Sequence, residues 1–353
     1  NVKRIAVLAI TKNGIKISSR LKQIFPSWDI FAPLKFQDEI ISANWYEEQT
    51  SRKMSELFRI YDGLICLFSL GAVIRLIAPY LKDKKTDPAV IVIDDKANFV
   101  ISVLSGHLGG ANELSEEIAG KIGAISVVTT AADVNKTIPV DMIGREFGWE
   151  IEDDSNVTKI SAQMVNQEKI GIFQDAGEKN WWKSDLPENT TVYDSLERLL
   201  ISDSKSYLII SDKIIDHEIL KNSIVYRPKT LVVGIGLHGD TSKEKIKDSL
   251  DATLLNHHLA VKSVARLVSI KKPIDVQGLI DAAKDLQLKV EYFDRDELAK
   301  IKIPNPSQTV EAYEGTPSVS EAAAIKSSAG ILLVEKQKFP PDLTIAIARI
   351  END

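Results

Sequence analysis

Residues 99–122 read FVISVLSGHLGGANELSEEIAGKI. The first six, Phe99 to Leu104, are mostly apolar and β-branched. A turn carrying Gly106, Gly109 and Gly110 follows, and then apolar residues recur at helical spacing. Strand, tight turn and helix in that order are the unit of an α/β sheet. The rhythm extends in both directions. Residues 4–10 form a continuous apolar run, the mark of a strand buried on both faces, and 15–24 read as a helix. Further strands are expected at 28–31, 63–68, 89–93 and 125–128, and helices at 50–61, 72–81 and 110–122. The turn sequence DDKAN, 94–98, joins the strands 89–93 and 99–104.

Beyond residue 145 the pattern weakens, with strand candidates at 169–173 and 207–210. Tyr226–Thr230 reads as a linker into a fresh βα unit, the strand 231–235 and the helix 242–255. The chain closes with 331–334 and 344–348, an antiparallel hairpin around a Pro-Pro turn. The expected fold is α/β in three parts, each with a mainly parallel sheet. These are 1–145, a small middle domain 146–228, and 229–353 with the added hairpin.

Composition bounds the function. Of 353 residues, 44% are hydrophobic and 27% charged, which suits a globular chain that buries cores. No apolar run reaches the roughly 20 residues of a membrane span. The start, NVKRIAVLAITKNG, reads as a first strand, not a signal peptide. A net charge of −6 without a basic stripe points away from nucleic acid. Neither nucleic acid nor membrane is an expected partner. Cys66, the single cysteine, cannot form an internal disulfide, and its apolar neighbours make it a buried thiol in a reducing, cytoplasmic setting. A homodimer is expected only from the frequency of symmetric pairs among proteins.

Two glycine stretches compete as sites. Gly234-Ile-Gly-Leu-His-Gly239 matches G-x-G-x-x-G between a strand and a helix. A dinucleotide fold needs an acidic residue about 20 positions on, at the end of the next strand. That strand, 264–270, ends in Lys271-Lys272, so a bare βα turn or an anion-binding helix start fits better than NAD(P). The turn 105–110 fits neither that fingerprint nor a P-loop. Its glycines let a ligand approach the backbone, the following helix start favours anions, and His107 exchanges protons near neutral pH. The plain alternative is a structural histidine, with Ser105 and Asn112 as turn and capping residues. Loops 69–75 and 129–133 also follow strands, so three loops are expected to share one crevice beyond the strands' carboxyl ends. Lys82, Lys84 and Lys85 are either a solvated run or a grip on carboxylates.

SLGAVIRLIAPYLKDKKTDPAVIVIDDKANFVISVLSGHLGGANELSEEIAGKIGAISVVTTAADV, 69–134, resembles the N-terminal part of the cobalamin-biosynthesis CbiG family. LVVGIGLHGDTSKEKI (231–246), PSVSEAAAIKSSAGILLVEKQK (317–338) and TIAIARI (344–350) resemble its C-terminal part. The resemblance departs at Leu237-His238-Gly239, where Cys and basic residues are usual, and at Val276-Gln277, where an acid is common.

It implies a cobalt-precorrin-5A hydrolase of anaerobic cobalamin synthesis. Water opens a δ-lactone and a two-carbon unit leaves as acetaldehyde. The substrate is a cobalt-corrinoid, no organic cofactor is needed, and no metal site belongs to the protein, since the cobalt is the substrate's. On this reading His107 is the base, with Ser105 and Asp133 completing the catalytic set. Gly109 and Gly110 offer N–H groups to the oxyanion, and Arg75 and Lys84 hold carboxylate arms. Gly71, Gly106, Asn112, Thr129 and Thr130 complete the substrate-binding set in the first part. Gly234, Gly236, His238 and Glu321 join it from the last part, where Glu321 has close helix packing as its plain explanation. The alternative is a non-catalytic corrinoid-binding or carrier protein of the same pathway.

Overall fold

The computed structural model describes residues 4–351 except 38–41, 84, 108, 132–136 and 307–317. It is α/β, with three sheets. The chain divides into two compact units, Asn1–Met142 and Ile143–Asp353.

The first unit holds seven strands: β1 (Ile5–Ala9), β2 (Asp29–Pro33), β3 (Asn44–Tyr46), β4 (Gly63–Leu67), β5 (Ala89–Ile93), β6 (Phe99–Leu104) and β7 (Ile125–Val127). Their order in the sheet is β3-β2-β1-β4-β5-β6-β7. The central strands β1, β4 and β5 are buried along their whole length, as their unbroken apolar runs require. Helices Lys12–Ile24 and Ala111–Ile122 seal one face through Ile15, Leu21 and Ile118. Helices Thr50–Ile60 and Leu70–Ile77 seal the other through Met54, Leu57 and Val73. The helix expected at 72–81 starts at Leu70 and tightens into a 3-10 turn at Ala78–Tyr80, where Pro79 lacks an N–H.

Two strands, β6 and β7, run against the rest. β1, β2, β3, β4 and β5 are mutually parallel, β6 is antiparallel to β5, and β7 is parallel to β6. The Asp94 carboxylate makes the reversal by accepting the N–H of Phe99 at 2.6 Å and of Lys96 at 3.2 Å. Ala97 takes a positive φ of 55° within the same turn.

The second unit carries two sheets. One has the order β10-β9-β11-β12-β8, from β8 (Glu150–Ile151), β9 (Ile170–Gln174), β10 (Thr190–Tyr193), β11 (Ser206–Ile210) and β12 (Ser223–Arg227). The other has the order β15-β14-β13-β17-β16, from β13 (Leu231–Leu237), β14 (Val264–Ile270), β15 (Lys289–Phe293), β16 (Ile331–Phe339) and β17 (Leu343–Arg349). The terminal hairpin is antiparallel, as its sequence indicates. The stretch 226–230 is not a solvated linker. Tyr226 and Arg227 are buried at the end of β12. Arg227 donates to Glu152 at 2.7 Å and to the Ser211 carbonyl at 2.9 Å. Asp212, fully buried, accepts from Thr230 at 2.8 Å and from both ends of the Arg349 fork, so side chains weld β11 to β17.

No helix among the described residues is long and apolar enough to cross a membrane. Cys66 lies inside β4 with no exposed surface, and burial pushes its thiol up to about 12. The native thiol is therefore expected to resist iodoacetamide at pH 8, with one equivalent reacting only after denaturation. The unfolded thiol ionises first, so this group's contribution to stability is intact below pH 9 and declines as pH rises toward about 12. Labelling stoichiometry by mass, with and without denaturant, checks the first point.

Candidate active site

The reversal at Asp94 decides where each loop falls. Because β6 and β7 share one direction, the turn after β6 and the stretch after β7 emerge at the same edge. That edge is where β5 begins, since Val90 pairs with Leu104. Two hydrogen bonds bind this edge together. Ser105 Oγ donates to the Asp87 carbonyl at 3.0 Å, and Asn112 Nδ2 donates to Thr130 Oγ1 at 3.0 Å. The first contact brings the loop 81–88, with Lys82 and Lys85 exposed on it, against the turn.

The sequence reading placed loop 69–75 in the same crevice, and the fold corrects that. Gly71 begins a helix after β4, at the opposite edge of the sheet. The Arg75 guanidinium leans back toward the Gly71 carbonyl, 3.5 Å away. The two following lysines stay near the turn because the chain has crossed the sheet by residue 82.

The turn itself is closely built. Ser105 stands at φ 56°, in the left-handed region, where a non-glycine residue costs about 1–2 kcal/mol. Its carbonyl accepts the Ala111 N–H at 3.2 Å, and the Gly106 carbonyl accepts that of Asn112 at 3.0 Å. A Cβ at Gly109 would lie 2.4 Å from Ser105 Cβ, and one at Gly106 would lie 2.6 Å from Asn112 Oδ1. Gly110 caps the helix at φ 80°. Its N–H, expected to face an oxyanion, donates instead to the His107 carbonyl at 2.9 Å, because the turn closes on itself. The Ser105 hydroxyl gives its proton to the backbone and braces the turn. Asn112, nearly buried, also accepts from Ser102 Oγ at 2.6 Å and so clamps β6 to Thr130. Thr129 is exposed beside it.

His107 is mostly buried, with 19% of its side chain exposed, and its Nδ1 lies 3.9 Å from Asp141 Oδ1. Sequence reasoning missed Asp141. Its only signal there is a lone acid within the otherwise apolar run Ile138-Pro-Val-Asp-Met-Ile143. Asp133 and Lys84, nominated from the sequence, lie outside the described residues.

In the second unit the nominated glycines serve packing. Gly234 and Gly236 lie inside β13, not in a turn. A Cβ at Gly234 would stand 1.9 Å from the Ser320 carbonyl, so helix Val319–Ser328 rests directly on this strand. A Cβ at Gly236 would meet Thr344 Oγ1 at 2.5 Å. The turn begins only at exposed His238, whose N–H donates to the Asp342 carbonyl. Glu321 is fully buried and accepts three hydrogen bonds, from the N–H and side-chain amide of Asn305 and from the Lys336 N–H.

An α/β protein whose polar residues gather on strand-to-helix loops, at one edge of a mixed sheet, is the class that fold and site define. Three family models match in chain order: Cobalamin synthesis G N-terminal over 52–133, Cobalamin biosynthesis central region over 138–228, and Cobalamin synthesis G C-terminus over 231–348. A cobalt-precorrin-5A hydrolase of Priestia megaterium is 42% identical, across 99% of this chain and 95% of that one. The enzyme of the same name from Salmonella typhimurium is 31% identical, across 94% and 93%. A probable cobalt-precorrin-5A hydrolase of Methanocaldococcus jannaschii is 24% identical, across 98% of both. The chain belongs to the CbiG family of cobalamin-synthesis proteins.

The two glycines at opposite edges should respond oppositely to alanine. Gly71→Ala adds a Cβ whose nearest neighbour is Arg75 Nη1 at 3.6 Å, an ordinary contact within a helix. It should raise stability by up to about 1 kcal/mol. Gly109→Ala forces the backbone of Ser105 aside and should lower stability by about 1–3 kcal/mol. Melting temperatures of the two variants check the pair.

Proposed function

We propose that this chain is a cobalt-precorrin-5A hydrolase, opening the substrate's δ-lactone with release of acetaldehyde and formation of cobalt-precorrin-5B. The observation that carries this is the full-length likeness to the hydrolase of Priestia megaterium, which runs through the Ser105–Gly110 turn. The cobalt belongs to the substrate, and the protein's part is acid–base chemistry and positioning.

His107 is the base in this proposal. It takes a proton from water as the oxygen attacks the lactone carbonyl, and the tetrahedral oxyanion collapses to a carboxylate and a hydroxyl. The freed hydroxyl stands on the two-carbon unit. Loss of its proton forms the aldehyde carbonyl while the carbon–carbon bond to the ring breaks. The bond's electron pair goes to the macrocycle, which takes up a proton. The substrate is a flat polycarboxylate, so the cations beside the turn have a task. Lys82 and Lys85 are exposed on the loop held against Ser105 and can meet its acetate and propionate arms.

Anaerobic incubation with cobalt-precorrin-5A, trapping acetaldehyde and following the corrinoid by mass, tests the proposal. One acetaldehyde per corrinoid is expected, and His107→Ala should lower kcat by about 10²–10⁴-fold with the fold intact. Retained corrinoid without acetaldehyde would instead make the chain a binding protein. The double variant Lys82→Ala/Lys85→Ala should raise KM several-fold with little change in kcat. The effect should be larger at low salt, where surface charges are least screened. Steady-state kinetics at two ionic strengths measure it.

A further inference from the structure

We propose that Asp141 is the residue that positions His107 for proton abstraction. This rests on the hydrolase reading above and assigns a role within that site.

The two side chains face each other across 3.9 Å, His107 Nδ1 to Asp141 Oδ1, and only 19% and 15% of them are exposed. Partial burial strengthens a charge interaction relative to open water. Both partners stand on fixed backbone. On the histidine side, the His107 carbonyl accepts the Gly110 N–H, the Gly106 carbonyl accepts the Asn112 N–H, and Ser105 is tied to Asp87. On the acid side, Ile138 and Val140 are both buried to 1% exposure, so the segment carrying Asp141 is anchored in apolar packing. The separation exceeds an N–H···O hydrogen bond by about 1 Å. Such contacts commonly tighten when substrate closes the site.

The chemistry follows from which nitrogen faces the acid. A carboxylate beside Nδ1 favours the tautomer with its proton on Nδ1, which leaves the lone pair on Nε2. Nε2 is then the atom that accepts the water proton. When it does, the imidazolium gains a counter-charge already in place, so the acid stabilises the charge that develops more than the neutral ring. Without Asp141, His107 loses both its tautomer preference and that counter-charge. Asp141 touches the base and not the substrate, so its removal should act on kcat and leave KM alone.

The variant D141N keeps the size of the side chain and removes its charge. Its kcat is expected to fall about a hundredfold or more, with KM within about twofold of the parent and D141E recovering part of the rate. Nitrogen-15 spectra of histidine-labelled protein, with the His107 signals assigned by comparison with H107Q, provide a readout independent of turnover. The parent should show the Nδ1–H tautomer at His107, and D141N a shift toward Nε2–H. A parent ring already in the Nε2–H form, or D141N with parental kcat, overturns the proposal. Should the parent release no acetaldehyde, the hydrolase reading fails, and the tautomer shift still decides whether Asp141 orients the ring. Should D141N not fold, D141E is read by the same spectra, a parental tautomer supporting the pairing and a lost one opposing it.

Discussion

Two backbone N–H groups held by one carboxylate turn the first sheet around. Asp94 accepts from Phe99 and Lys96, and the chain that ran with β4 and β5 comes back as β6. Had β6 continued parallel, its following turn would lie beside Thr11 and Ser69, at the carboxyl edge of β1 and β4. Ligands of doubly wound sheets usually bind at such an edge. The reversal sends Ser105–Gly110 to the other edge and gives it different neighbours: the lysine loop through Asp87, and Thr130 through Asn112. The chemistry of the candidate site is set by that exchange of neighbours.

Much of this was legible in the sequence. The apolar runs of β1, β4, β5 and β13 stand out because burial on both faces leaves no polar interruption, and the hairpin β5–β6 stands out through its polar turn Asp94–Asn98. The short strand β3 and the edge strand β10 do not, since an exposed strand needs few apolar residues; Val192 of β10 faces solvent. The turn 105–110 stands out in the sequence as a candidate through its glycines and lone histidine. The expectation that loop 69–75 shares its crevice failed although the hairpin had been read, because one antiparallel step changes the edge of everything after it. Asp141 was invisible for another reason. Its approach to His107 spans 34 positions in sequence and depends on the packing of Ile138 and Val140. G-x-G-x-x-G was legible as a pattern but not as a cause, for Gly234 is required by a helix lying on a strand.

In the second unit the protein's own side chains bond to one another where the winding of a sheet changes direction. Its first sheet has β9 between β10 and β11, so the winding direction changes between β9 and β11. The carboxyl ends there carry Asp212 and Lys213. Asp212 is taken by the Arg349 fork and Thr230, and the Lys213 carbonyl accepts from Arg227. Breaking a buried pair of this kind by removing one partner typically costs about 3–5 kcal/mol. The stretch that resembles a linker is therefore a joint, and β8 to β17 form one compact unit.

The separation of the two edges also makes the molecule convenient for optical work. Lys96 is exposed on the hairpin turn, at the far end of β5 from Asp87. Five strand residues lie between, roughly 17 Å at the usual rise. With Cys66 sealed inside β4, a cysteine introduced at 96 is the thiol a maleimide dye would find. Conjugated macrocycles absorb visible light, so a bound corrinoid would quench such a dye by energy transfer. Occupancy could then be followed in real time from a position that touches nothing at the turn.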